Sequence, residues 1–435
     1  MDPITIGILA FLFLMALILV GIPIGFAMLT TASLGYMATG RPSFAETQLS
    51  LTFVNQGQNF ILVAVPLYFL MGQLVQRTNI AQDLYECVYR WLGRLPGGIA
   101  ISTVVACAGF GAVSGGAVTA IATIGPMAIP AMRKYKYDDA LATGSIAAAG
   151  TLGILIPPSL VMVGYGILTE TSIGALFIAG IVPGLLMTLA YAVTIAVRCR
   201  LNPSLGPLGE RFELREKIAS LSKVLPILLT FVIVVGGIYA GAFTPTEAAG
   251  IGVAALLVIS LVMRRMSWRV LGASLLQSAQ TSAMIFIILV GGYMMGKFIA
   301  TTGLSQMIVD AILAGNFPPL VIILMITVAF IALGMVLDVW GMMILTVPFT
   351  LPIIIQLGYS PVWYGVYAVI MSELALITPP VGINVYVLAK VAPDVPLMKI
   401  FRGVAPFFIA TLALVALIVF FPQIVMWLPG SAGMQ

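Results

Sequence analysis

The sequence predicts an all-α polytopic membrane protein made of two inverted repeats, each with one re-entrant hairpin and one broken helix. Three observations carry this. Of 435 residues, 61% are hydrophobic and only 8% charged, where an ordinary soluble domain has about 25% charged residues; mean hydropathy is +1.14. Apolar runs come in lengths near the ~20 residues a helix needs to cross a bilayer, where only helices and closed barrels satisfy their own backbone. Finally, prolines recur at a fixed offset of 222: Pro126, Pro130, Pro157 and Pro158 return as Pro348, Pro352, Pro379 and Pro380, and Tyr137 as Tyr359.

The first apolar run, 6–20, has no basic region before it and no small-residue cleavage site, so it reads as a retained span. Lys and Arg cluster at 77–94, 133–136, 198–223, 264–269 and 390–402, which the positive-inside rule places in the cytoplasm. Two short spans, about 225–241 and 247–263, then make one excursion outward, leaving GAFTPTEAA (241–249) outside. The run 96–132 is long enough for two passes, yet its midpoint is Ser114-Gly115-Gly116 with no outer-loop residues. A hairpin entering from the cytoplasm and turning inside the membrane explains it, because irregular backbone is tolerated there only when protein or a watery cavity surrounds it. The run 317–357 has the same shape, with a tip near 336–341 and uncharged flanks, NFPPL and LGYSP. It enters from outside, so the hairpins point at each other.

The offset extends over the chain. Pro23 returns as Pro245; GIVP (180–183) returns as GVAP (403–406) at 223; Met71-Gly72 and Thr78 return as Met295-Gly296 and Thr302 at 224. Inverted repeats of this kind mark secondary transporters. The repeats are 1–200 and 224–435, joined by a cytoplasmic linker, 201–223, in which Glu213 and Lys217 at helical spacing predict a separate surface helix. This gives about ten crossings plus two hairpins, both termini outside, and an arm ahead of each hairpin, 80–92 inside and 304–313 outside.

Several classes are excluded. Cys87, Cys107 and Cys199 form no disulfide or metal pattern, no histidine is present, and no GxxxxGK[ST] phosphate loop occurs. The net charge of +5 sits in short loops, which fits membrane topology and not nucleic-acid binding. A channel would want a continuous polar pore; an intramembrane enzyme would want a histidine, paired carboxylates or HExxH.

The chemistry belongs to the breaks. An interrupted helix frees carbonyls that can coordinate a cation and amides that can hold an anion. The first half offers Ser114 and the carbonyls around Gly116, Gly153, Ile156 and Pro158; the second offers Asp338 at the hairpin tip and Thr378 before Pro379. Asp338 is the only charge between Asp310 and Glu373, and a buried carboxylate without a basic neighbour needs a proton or a cation. Plainer readings stand beside these. Ser114-Gly115-Gly116 can be a tight turn alone, Glu170 a solvated loop residue, and Glu247 a first-turn acid capped by Thr244 or Thr246. Glu373 is either a packing polar group or a supporting partner of Asp338, and Asn384 lines a polar pocket.

SGGAVTAIATIGPMAIPAM (114–132), GTLGILIPPS (150–159), GGIYAGAFTPTEAA (236–249) and ALITPPVGINVYVL (375–388) resemble the large membrane subunit of tripartite ATP-independent periplasmic (TRAP) transporters over essentially the whole chain. The resemblance implies an elevator-type carrier in a bacterial inner membrane, coupled to two or more Na⁺. It further implies a small four-helix membrane partner and a periplasmic protein that captures an organic acid of the C4-dicarboxylate or sialic acid class. It assigns one Na⁺ to Ser114, Gly116, Gly153, Ile156 and Pro158, and another to Asp338, Thr378 and Pro379; the acid is expected at Ser114, Gly115, Gly116, Pro158, Pro380 and Asn384. Family members often carry SGS where this chain has SGG, so a carbonyl or water replaces the hydroxyl at Gly116. The rival reading is a Na⁺/dicarboxylate symporter that needs no capture protein.

Overall fold

A computed structural model of the protein describes residues 2–40, 42–315 and 317–434. Among them there are helices and no strands. The first half runs α1 (Pro3–Leu19), α2 (Ile24–Ala38), α3 (Pro42–Gly57), α4 (Ala64–Arg77), α5 (Ile80–Leu92), α6 (Gly98–Ser114), α7 (Ala117–Lys134), α8 (Asp139–Leu155), α9 (Leu160–Thr169) and α10 (Ile173–Leu201). The second runs α11 (Leu214–Phe231), which passes through a wide π turn into α12 (Gly237–Tyr239), then α13 (Pro245–Val262), α14 (Trp268–Thr302), α15 (Leu304–Ala314), α16 (Pro319–Gly334), α17 (Val339–Gln356), α18 (Pro361–Ala375), α19 (Ile383–Val391), α20 (Leu397–Phe420) and α21 (Gln423–Ser431).

The sequence offset reappears as an offset of helices. Shifted by 222, α7 falls on 339–356, the bounds of α17, and α8 and α9 fall within two residues of α18 and α19. A marked departure is α14, a single helix of 35 residues. In the corresponding stretch of the first half, α3 and α4 are separated by a 3₁₀ turn that Asn59 caps by accepting from the Ile61 amide.

Seven helices are long and apolar enough to cross a membrane, eight if α8 and α9, bent by 44°, count as one. This is a multi-pass membrane protein. The helices α1 and α2 are apolar but shorter.

The linker departs from expectation. Residues 206–213 are irregular, and the helix that starts at Leu214 continues without interruption into the next span. Glu213 is its N-cap, sharing a capping box with Glu216, and does not pair with Lys217. Pro226 lies inside this helix without stopping it. The separate surface helix is therefore the first part of a crossing.

The basic clusters meet. Arg265 pairs with Asp83, Lys223 and Arg90 with Glu86, Lys134 with Glu210, and Arg133 with Asp394, so all five clusters join in one network at one end of the bundle. The base of the first hairpin, Arg133 and Lys134, lies in that network. The base of the second, 357–359, shares a cleft with Pro422 and Met426 of the α20–α21 end, and α21 reaches Tyr239 through Ser431. That is the opposite end, beside the uncharged turn before α13.

The broken helices occupy the centre. Every residue from Leu141 to Leu155 in α8 and from Val362 to Ala375 in α18 is buried, the pattern of a helix that is apolar on all faces because it is packed on all faces. The hairpins flank these two helices, with α6 and α7 against α8 and with α16 and α17 against α18.

Candidate functional site

The first hairpin turns at Gly115, whose φ of +63° is a conformation glycine enters without Cβ strain. Gly116 follows in extended backbone and caps α7. This tip is pressed against the first break by its backbone: a Cβ on Gly115 would lie 2.8 Å from the Pro158 carbonyl oxygen, and one on Gly153 would lie 2.8 Å from that of Gly116. Ser114 is 2% exposed, and its hydroxyl has no hydrogen-bond partner.

At the break, α8 stops at Leu155, the Pro157–Pro158 bond is cis, and α9 restarts with Ser159 accepting from the Met162 amide at 3.3 Å. The carbonyls of Gly153 and Ile154 would normally accept from residues 157 and 158. Both are prolines without an N–H, and neither carbonyl receives a backbone hydrogen bond. The tip and the break thus meet through Gly115 on Pro158 and Gly116 on Gly153, beside two free carbonyls, while the orphan Ser114 faces Gly72 of α4 and Ile156 faces Gly184 of α10.

The second break is chemically different. Pro379–Pro380 is also cis, but the chain folds back on itself. The amides of Leu376, Ile377 and Thr378 donate to the carbonyls of Glu373, Leu374 and Ala375 at 3.0–3.2 Å, and the Asn384 amide donates to Leu376 at 3.0 Å. The Thr378 hydroxyl donates to Leu374 at 2.6 Å. This half compensates with a charge. Asp338 caps α17, accepting from the Gly341 amide at 2.9 Å.

The two tips meet across a cavity of about 390 Å³. Gly115, Gly116 and Thr119 line it from the first hairpin, Asp338 and Trp340 from the second, Leu160 from beyond one break and Leu376 and Ile383 from either side of the other. Of the residues singled out in the sequence, Gly115, Gly116 and Asp338 reach this cavity. Ser114, Gly153, Ile156, Pro158, Thr378, Pro379, Pro380 and Asn384 stand behind it or beside it. Asn384 is fully buried and bridges to α8, its amide nitrogen donating to the Ala147 carbonyl at 3.1 Å, so it lines no pocket. Glu373 is also fully buried, and its carboxylate oxygens make no hydrogen bond, to Asp338 or to anything else. Thr244 and Glu247 form the expected capping box, and Glu170 is an exposed residue ending α9.

Sequence reasoning missed the neutral polar side of the cavity: Gln73 on α4, Thr119, and Gln277 and Thr281 on α14. A signal was present, since Gln277 and Thr281 stand one helical turn apart, and therefore on one face, within the polar run QSAQTS (277–282) of a span.

Comparison with known proteins gives the family of the chain. A family model described as the DctM component of the tripartite ATP-independent periplasmic transporter covers residues 11–424. The chain belongs to this family. It is the large permease component of a TRAP transporter and, like its relatives, a transport protein. It is 34% identical to the C4-dicarboxylate TRAP transporter large permease protein DctM of Pseudomonas aeruginosa, over 89% of this chain and 90% of that protein. It is 32% identical to the sialic acid TRAP transporter large permease protein SiaM of Vibrio cholerae, over 95% and 96%. The isethionate TRAP transporter permease protein DctMQ of Oleidesulfovibrio alaskensis is 30% identical over 95% of this chain and 65% of that longer protein. The fold is shared more widely. The Alcanivorax borkumensis YdaH transporter superposes with a TM-score of 0.55 at 13% identity, covering 87% of this chain and 89% of that one.

Proposed function

We propose that this TRAP large permease is the carrier of a Na⁺-driven importer of organic acids in a bacterial inner membrane, working with a periplasmic capture protein and a small membrane subunit. The observation that carries the reading is the convergence of both hairpin tips and both breaks on one cavity that includes Asp338. Na⁺ and the acid are both cargo. The free carbonyls of Gly153 and Ile154 offer neutral oxygen ligands for one Na⁺, with no hydroxyl at Gly116 required; Asp338 with the Thr378 hydroxyl offers a carboxylate-based site for a second. The acid would sit between the tips, its anionic group facing the amide end of α7, where the helix dipole is positive, and its body against Trp340, Leu160 and Ile383. Gln73, Gln277 and Thr281 would supply neutral hydrogen bonds.

Relatives named for a dicarboxylate, a sugar acid and a sulfonate share an oxyanion, and that class is the one proposed here. The small subunit is supported by DctMQ, which is longer than this chain by about the share it leaves uncovered. Because Gln73 accepts from Arg77 of the basic end, the cavity lies near the face read as cytoplasmic, with both termini outside. An elevator step would carry the hairpins, α8–α9 and α18–α19 as one body past a frame that includes α2, α4, α13 and α14. The test is uptake of radiolabelled C4-dicarboxylates, sialic acid and sulfonates into proteoliposomes holding the permease and its small subunit, with and without the binding protein. Uptake that requires an inward Na⁺ gradient supports the reading; uptake that ignores Na⁺ ends it.

A further inference from the structure

Four helices begin at the tips and breaks around the central cavity, and their amide ends are not equivalent. At the second tip α17 starts from Asp338, whose carboxylate accepts from the Gly341 amide at 2.9 Å; that end already holds an anion. Beyond the first break α9 starts from Ser159, whose hydroxyl accepts from the Met162 amide at 3.3 Å. Beyond the second, the amides of Asn384 and Val385 at the start of α19 donate to the carbonyls of Leu376 and Gly382 at 3.0 and 2.8 Å. Of the four, α7 alone starts without such a partner. Its N-cap is Gly116, which has no side chain to offer. Among the described residues the amides of Ala117, Val118 and Thr119 find no acceptor outside their helix, and all three residues line the cavity.

The side chains follow the same pattern. Among the described residues one ionisable group, Asp338, lines the cavity, and no Lys or Arg does. Arg77 is tied to Gln73 Oε1 at 3.2 Å and is not part of the wall, which leaves Gln73 its amide donor. The Thr281 hydroxyl donates to the Gln277 carbonyl at 2.9 Å, which leaves it as an acceptor. Gln73, Gln277 and Thr281 therefore suit hydroxyl and amide groups, which carry no charge.

Inside a membrane an uncompensated charge is costly. One anionic group is met by the free amides and positive dipole end of α7, and a cation at the first break lies beside that end and serves the same group. A second anionic group would find Asp338 at the opposite tip, where like charges repel. A cation bound to Asp338 cancels that carboxylate and leaves no positive charge over.

We propose that the central site takes acids with one anionic group and excludes dianions, so that its cargo is a monoanionic acid bearing neutral hydroxyl or amide groups and not a C4-dicarboxylate. This rests on the organic-acid reading given above and narrows it. Because a binding protein imposes its own selection, the test uses the permease purified with its small subunit alone. Thermal stability in NaCl is followed against concentration for acids paired by skeleton: gluconate with glucarate, succinamate with succinate, and isethionate with sulfoacetate. At least one monoanion is expected to stabilise the protein, with its dianionic counterpart weaker by about tenfold or more. Gln277→Lys adds one positive charge to the wall and is expected to close that gap. A dianion that stabilises the wild type as well as its monoanionic partner overturns the inference and leaves the organic-acid reading standing, whether or not the Lys variant folds. An unchanged gap in a folded Gln277→Lys protein also overturns it, because charge then does not set the selection. No stabilisation by any of these acids overturns the organic-acid reading and the inference with it.

Discussion

Gly153 and Gly116 touch through their backbones, since a Cβ on Gly153 would stand 2.8 Å from the Gly116 carbonyl oxygen. The obstacle is main chain, so a methyl there must push the hairpin tip off the broken helix. Gly153→Ala is expected to destabilise the protein by about 1–3 kcal/mol, the usual cost of overpacking, and to remove stabilisation by Na⁺ at the first break. Gly250→Ala, within α13 with nothing inside 4 Å of the added carbon, is the control; removing glycine from a helix interior should gain roughly 0.5–1 kcal/mol. Thermal unfolding with and without Na⁺ checks both.

Orientation is testable because all three cysteines are buried, which keeps background labelling low. Ala242 precedes α13 at the uncharged end, and Ser204 lies in the basic linker; both are exposed. A membrane-impermeant thiol reagent added to intact cells with a permeabilised outer membrane should label Ala242→Cys and spare Ser204→Cys until the inner membrane is broken. The reverse pattern would invert the topology.

Glu86 joins the arm α5 to α11 through Lys223 at 2.7 Å and braces α5 through Arg90 at 2.5 Å. The hydrogen bond from Lys223 is the largest influence and brings its carboxyl below the usual glutamate range; burial opposes it, and Arg90 adds to the lowering. A lowered folded-state value means stability that is present above the unfolded value of about 4.3 and is lost as pH falls through the folded value. The pair is half-exposed, so Glu86→Gln should cost at most about 1 kcal/mol at neutral pH. The difference between variant and wild type, read by hydrogen exchange of α5 amides, should close below about pH 4 and shrink in high salt.

How much of this was legible depends on which force set each feature. The hairpin tips were readable because a glycine pair or a lone acid in the middle of an apolar run has few physical explanations, and the five basic clusters because a membrane sorts charge by side. The free carbonyls of Gly153 and Ile154 follow from two prolines alone. The closure of the second break does not, because Leu376 finds its donor in Asn384 across the loop, a tertiary event without a local pattern. Gln73 was hidden for a related reason: a glutamine one turn from Arg77 reads as part of a cytoplasmic helix end. The α11 start was misplaced because Glu213 and Lys217 have helical spacing whether Glu213 lies inside the helix or caps it.

Asp338 has two roles, and substitution can separate them. Its Oδ1 caps α17 through the Gly341 amide, a task that asparagine performs as well as aspartate, whereas alanine there costs about 0.5–2 kcal/mol. Its charge, on the wall of the central cavity with no basic side chain lining that cavity, is what a cation would neutralise. Asp338→Asn should therefore fold with near wild-type thermal stability in choline chloride yet lose the added stability in NaCl and the Na⁺-dependent uptake. Asp338→Ala should lose stability in both salts. If Asp338→Asn retained full Na⁺-stimulated uptake in proteoliposomes, the carboxylate would be a cap and nothing more, and the second Na⁺ would have to be held elsewhere.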